Sequence, residues 1–157
     1  MKINSRKIRI FIICLIISYS VAFIGSLFTG ENTKSEWYNS IKPSITPPNY
    51  VFPIVWNILF FLITVSLYFA WINSKQKEKK NIVILYGINF ILNISWSFLY
   101  FTLKNVLFAF IDIIFIWVSI LSLIIFTWKI DKKATYALIP YFLWVSFASI
   151  LNYLSIK

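Results

Sequence analysis

There is no histidine anywhere in the 157 residues. That removes the commonest metal ligand, the commonest general base near neutral pH and the usual axial ligand of haem iron. Acids are scarce as well, with five carboxylates against fifteen lysines and arginines. Four of the five, Glu31, Glu36, Glu78 and Asp131, lie outside the long apolar runs. A hydrolytic dyad or triad has almost nothing to be built from, and no metal site is expected. The lone cysteine, Cys14, excludes an internal disulfide and leaves the redox compartment open.

What the chain does have is apolar surface. It is 60% hydrophobic, 20% aromatic and only 13% charged, with a mean hydropathy of +0.80. A soluble domain of this length cannot hide that much apolar surface, so most of it must face lipid. A membrane-spanning helix needs ~20 mostly apolar residues. Five stretches qualify, at about 8–28, 50–71, 82–101, 106–128 and 134–154. The predicted fold is an all-α integral membrane protein: a bundle of five transmembrane helices forming a single domain over residues 1–157. The first stretch starts with basic residues, as a signal peptide does. It is too long for a typical apolar core of one, and "VAFIGSLFTG" is a poor cleavage site, so it reads as a retained helix. Pro47 and Pro48 suit the start of the second span, Pro53 its first turn, and Pro140 is predicted to bend the fifth within its first two turns.

The basic residues orient the bundle. Eleven of them (Lys2, Arg6, Lys7 and Arg9; Lys75, Lys77, Lys79 and Lys80; Lys129, Lys132 and Lys133) fall on one side, and four (Lys34, Lys42, Lys104 and Lys157) on the other. By the positive-inside rule the N terminus is cytoplasmic, and the connector at 29–49 and the C terminus lie outside, in a multi-pass protein of the cell membrane. The same split accounts for the net charge of +10 without nucleic acid, which is not expected as a partner.

Several span residues are not greasy. Ser18, Ala22 and Ser26, with Gly25, give the first span a small-residue stripe suited to close helix packing. Asn89 and Asn93 share a face of the third span. Asp112, on the fourth, is the only acid within a span and should face the bundle or a wet cavity. A structural hydrogen-bonding role and a ligand role stand side by side for these three. On the fifth span Tyr141, Trp144, Ala148 and Leu151 share a face. A tryptophan beside an alanine suits packing or the wall of a cavity.

The residues at this point resemble the translocator protein family, also called tryptophan-rich sensory proteins (TspO, the peripheral benzodiazepine receptor). The similarity rests on "WYNSIKPSITPPNYVFPIVWNILF" at 37–60, "LNISWS" at 92–97, "FAFIDIIF" at 108–115 and "ALIPYFLWVSFASILNY" at 137–153. The resemblance implies a five-helix membrane bundle, often a homodimer, with the lipid bilayer and a porphyrin or other hydrophobic small molecule as partners. Relatives bind porphyrins and haem-like tetrapyrroles, cholesterol in animal members, and synthetic isoquinoline and benzodiazepine ligands. It implies a pocket capped by the first connector, with Trp37, Tyr38, Pro47 and Pro48 in the cap. Phe52 and Trp56 match pocket positions on the second span, Asn89 and Asn93 on the third, and Trp144, Ala148 and Leu151 on the fifth. Phe108 and Asp112 on the fourth complete the candidate ligand-binding set. Two departures trim aromatic surface: Ile45 stands where the family usually has tryptophan, and Phe108 where animal members carry one.

Three functions remain open on this reading. The first is a receptor or sensor that binds tetrapyrroles such as protoporphyrin IX, with porphyrin as ligand and no cofactor required. The second is a light-dependent, porphyrin-degrading enzyme, as the resemblance implies for some bacterial members, in which Trp56 and Trp144 are the catalytic neighbours of the pigment. The third is a small transporter, for which the broken helices and half-repeats common in that class are not evident. The expectation leans away from an enzyme. Stiff prolines make the connector a lid that orders at low entropic cost. In the alternative reading, Trp37 and Trp56 sit in the interfacial aromatic belt.

Overall fold

The computed structural model describes residues 5–156, and among these it contains helices and no strands. Helix α1 (Ser5–Thr29) runs into a 3-10 turn (Gly30–Lys34), followed by a short α2 (Glu36–Ile41). Then come α3 (Val51–Asn73), α4 (Lys79–Ser97) with a π-helical turn at its end (Phe98–Thr102), α5 (Val106–Trp128) and α6 (Lys132–Leu154). Among the described residues five helices are long and apolar enough to cross a bilayer, and with them the chain is an all-α, multi-pass membrane protein.

Three local differences from the sequence reading have clear causes. The last span starts at Lys132 rather than near 134, because the Asp131 carboxylate accepts the Lys133 N–H at 2.6 Å and caps the helix there. Pro140 therefore falls in the third turn, and α6 runs on through it. The connector is not merely a stiff strap: the Ser35 hydroxyl accepts the Tyr38 N–H at 3.2 Å and starts α2 within it.

Contacts between the spans close a ring in the order α1, α3, α6, α5, α4 and back to α1. Cross-pairs set the directions. Phe11 meets Tyr68, and Tyr19 donates to the Asn57 carbonyl, so α1 and α3 are antiparallel. Phe28 meets Phe98 and Gly25 faces Ser97, so α1 and α4 are parallel. The start of α1, the α3–α4 turn and the α5–α6 turn share one end of the bundle, which carries Arg6, Lys7, Arg9, Lys75 to Lys80 and Lys129 to Lys133. Lys2 and Lys157, counted above, lie outside the described residues.

The basic half of the ring is solid. Ile63, Ala70, Ile82, Ile120, Leu123 and Leu138 are fully buried there. Its polar groups are matched to one another, as hydrocarbon requires. The Ser66 hydroxyl donates to the Ala134 carbonyl at 2.7 Å, so Tyr86 must be the donor in its 2.6 Å contact with Ser66. Large exposed side chains such as Ile16, Phe23, Ile91 and Phe115 point outward, where lipid is their solvent.

The other half of the ring does not close on itself. Ser18 is fully buried against the bundle. Higher on α1, Ala22, Gly25 and Ser26 face open space, as does Ala148 on α6. Small residues at these positions leave volume that leucines would have filled.

Candidate functional site

That volume is a cavity of about 370 Å³ between the spans, under the connector. It lies within the ~300–1,000 Å³ typical of small-molecule sites. Its floor is the solid half of the bundle, where Phe60, Ile113 and Ile116 meet it. Asn93 is also in the lining; both of its amide hydrogens are committed, to the Asn89 carbonyl and the Tyr141 hydroxyl, each at 2.7 Å.

Two aromatic walls face the space. On the α3–α6 side, Phe52 stands edge-on to Trp144 (5.8 Å between centroids), and Trp56 leans on Phe60 (5.8 Å) and on Tyr141 (6.2 Å). On the α4 side, Trp96 stacks on Tyr100 at 5.1 Å and 25°, with Phe101 edge-on to both. Asn152 holds that wall in place. Its Oδ1 accepts the Trp96 indole N–H at 2.9 Å, and its Nδ2 donates to the Val106 carbonyl at 3.0 Å.

The connector forms the roof through Tyr38, Lys42, Pro43, Thr46 and Asn49. Asn49 ties its two halves by donating to the Thr33 carbonyl at 3.0 Å. Tyr38 is buried among Tyr100, Phe101 and Ala109, and burial, with a smaller contribution from Tyr100, pushes its phenol up to about 12. It therefore stays protonated and neutral at any ordinary pH. Trp37 packs edge-on to Tyr100 outside the cavity, under the Lys104 ammonium 5.7 Å from its ring. Lys104 reaches it from a left-handed backbone conformation (φ 52°) in the α4–α5 loop.

Of the residues named from sequence, the structure brings Tyr38, Phe52, Trp56, Asn93, Trp144, Ala148 and Leu151 together around the cavity. Trp37, Pro47, Pro48, Asn89, Phe108 and Asp112 are not in its lining. Asn89 is fully buried one turn behind Asn93, donating to Ser119 at 2.8 Å and accepting from Tyr141 at 3.3 Å. Phe108 is exposed on α5, and Asp112 is buried on the same helix with one carboxyl oxygen unpartnered. Trp96, Tyr100, Phe101 and Asn152 were not assigned to the site from sequence. Their signal was available, since Asn93, Trp96 and Tyr100 fall at i, i+3 and i+7. Among the described residues no group of three His, Cys, Asp or Glu is placed to hold a metal.

The profile of the TspO/MBR family matches residues 12–156. The chain is 34% identical over 152 residues to "Tryptophan-rich protein TspO" of Chlorobaculum tepidum, covering 95% of each chain. It is 36% identical over 138 residues to the protein of the same name in Archaeoglobus fulgidus, covering 85% of this chain and 86% of that one. To the human "Translocator protein" it is 28% identical over 135 residues, covering 83% and 79%. With these matches running through every span and the connector that roofs the cavity, the chain belongs to the TspO/MBR family.

Proposed function

We propose that this protein is a membrane receptor or sensor that takes a tetrapyrrole, such as protoporphyrin IX, into the cavity beneath its connector. One observation carries the reading: the space is walled on two opposite sides by aromatic faces, Trp56 and Trp144 on one and Trp96 and Tyr100 on the other. A flat apolar macrocycle is matched by stacking surface and shelter from water. A relative in Cereibacter sphaeroides bears the name "Tryptophan-rich sensory protein", which is consistent with a sensor.

The chemistry of the lining selects the form of the ligand. The only thiol, Cys14, lies seven residues before the first cavity residue of α1, about 10 Å lower at 1.5 Å per residue. Tyr38, held protonated by burial, is a poor iron ligand. Recognition then rests on the macrocycle rather than on iron. In a spectral titration of the purified protein, metal-free protoporphyrin IX should bind at least as tightly as haemin. A sharp low-spin haemin spectrum with two nitrogen ligands counts against this account.

Trp56 and Trp144 on one wall also favour a second reading, light-driven conversion of bound protoporphyrin next to oxidisable indoles. Illumination of the complex tests it. Pigment loss at the same rate with and without protein removes that reading and leaves the receptor.

The orientation proposed is a cytoplasmic N terminus, with roof and C terminus outside, on the strength of the basic residues gathered at one end of the ring. Reporter fusions at the two termini should score on opposite sides of the membrane. Both on one side would contradict five crossings.

A further inference from the structure

The cavity is enclosed unevenly. Six of its described lining residues are exposed, and five of those follow one seam of the ring. Ser26 and Gly30 come from the end of α1 and the turn after it. Asn49, Pro53 and Asn57 come from the lead-in to α3 and its first two turns. The sixth, Lys42, is in the roof. The described lining residues of α4, α5 and α6 are all buried or half-buried.

The opening is therefore a window between α1 and α3, and it has a frame. At its lower edge the Tyr19 hydroxyl donates to the Asn57 carbonyl at 3.1 Å, and further down Phe11 against Tyr68 closes the seam. At its upper edge the Asn49 amide donates to the Thr33 carbonyl at 3.0 Å. Between these edges α1 offers only a serine and a glycine, and a Cβ added at Gly30 would meet nothing within 4 Å. Each edge is one side-chain hydrogen bond to a carbonyl. The seam can widen without breaking the backbone ladder of either helix.

The neighbours of the window show what it opens onto. Phe23 and Leu27 flank Ser26 along α1, and Ile54 and Ile58 adjoin Pro53 and Asn57 on α3. All four are exposed, from 55% to 64%. Large apolar side chains so exposed on a span belong to its lipid-facing surface. Asn57 is the seventh residue of α3, about 9 Å from the start of the helix at 1.5 Å per residue. The window thus reaches down the side of the bundle instead of opening upward. The connector above it carries Glu31, Lys34, Glu36 and Lys42, which suit water.

We infer that the cavity is filled sideways: its ligand is a molecule already dissolved in the bilayer, which passes between α1 and α3 from the leaflet on the roof side, and not from water through the roof. This rests on the ligand-pocket reading above and adds to it the route by which the pocket fills.

Two measurements test it, both on the full chain in phosphatidylcholine vesicles. The first needs no ligand. A spin label is attached at Ser26→Cys or at Asn57→Cys, each with Cys14→Ala so that the chain has one thiol. Both labels should be relaxed more by oxygen, which concentrates in lipid, than by a water-soluble nickel chelate. Stronger relaxation by the nickel chelate at both positions shows a window open to water and overturns the inference.

The second follows protoporphyrin IX by stopped-flow quenching of tryptophan fluorescence. Ser26→Phe and Asn57→Phe obstruct the window. Each should slow dissociation as well as association by about tenfold, since ~1.4 kcal/mol added to a barrier on the route acts in both directions. A side chain that only crowded the pocket would speed dissociation instead. Tyr19→Phe removes the lower edge bond and should speed both rates. Dissociation unchanged or faster in both obstructed variants overturns the inference, as does a slowing found only when the roof is obstructed by Lys42→Phe. If the parent does not bind protoporphyrin IX, the tetrapyrrole reading falls and the spin labels decide this inference alone: dominance of oxygen supports a route from lipid, and dominance of nickel refutes it.

Discussion

Trp56→Ala and Trp144→Ala should each weaken protoporphyrin binding by tenfold or more. Truncating a large buried aromatic costs about 3–5 kcal/mol in a packed core. Even half of that, for a half-buried wall residue, exceeds the ~1.4 kcal/mol that corresponds to tenfold. The two indoles lie on the same side of the cavity, Trp144 packed on Phe52 and Trp56 on Phe60. They should therefore act on the same bound ligand. Phenylalanine at either position keeps most of the stacking face but removes the indole N–H and its easier oxidation. Trp56→Phe and Trp144→Phe should hold affinity within a few-fold, on the order of 1 kcal/mol. Any light-driven conversion of the pigment should be lost in both. Affinity is read from fluorescence quenching and conversion from absorbance under illumination, in the same detergent. If the alanine variants bind like the parent, these tryptophans are packing residues and the ligand sits elsewhere.

Asn152→Leu should cost both stability and affinity. The amide is almost fully buried and joins three helices, taking the Trp96 N–H from α4 and giving a hydrogen to the Val106 carbonyl at the start of α5. Leucine fills nearly the same volume but leaves the Trp96 indole N–H stranded in apolar surroundings, and it takes the side-chain donor from the Val106 carbonyl, which keeps its bond within the α5 ladder. A stranded group costs about 1–3 kcal/mol in water-soluble proteins. In membranes, side-chain hydrogen bonds average nearer ~0.6 kcal/mol, so a total loss of about 1–3 kcal/mol is expected here. Thermal unfolding in detergent should fall by several degrees. Affinity should fall too, because Trp96 is free to leave its stack on Tyr100 in the α4 wall. Unchanged melting would show that water or a rotamer change replaces both bonds.

Much of this was legible in the residue order, because hydropathy and charge are local quantities. A run of apolar residues is long enough to cross lipid or it is not, and among the described residues five helices are. Helix ends depended on single side chains. Asp131 extended α6 by two residues, and Ser35 started a helix inside a stretch that its prolines had marked as a strap. The site was harder, because a polar residue in a span can face a cavity or a neighbouring helix with the same sequence signature. Asn93 and Asn89 are one turn apart on one face, yet Asn93 reaches the cavity and Asn89 is spent on Ser119 and Tyr141 behind it. Asp112 is off the lining for the same reason. The rotation of α5 in the ring decides what it faces, and that rotation is set by packing against α4 and α6. The α4 aromatic wall has no distinguishing mark in the sequence, because rings near the end of a span suit an interfacial belt as well as a cavity wall.

If the ligand binds in the space beneath the connector, filling that space should exclude it. Ala148 lines the cavity from α6, one turn beyond Trp144, and is only half-buried because the space beside it is empty. Ala148→Phe should occupy that space without displacing a packed neighbour, so thermal unfolding should match the parent. Titrated with protoporphyrin IX by fluorescence quenching, the parent should saturate at one ligand per chain. The filled variant should bind at least ~tenfold more weakly, a loss of about 1.4 kcal/mol or more. A folded Ala148→Phe protein that saturates at the parent's affinity and stoichiometry would contradict the account.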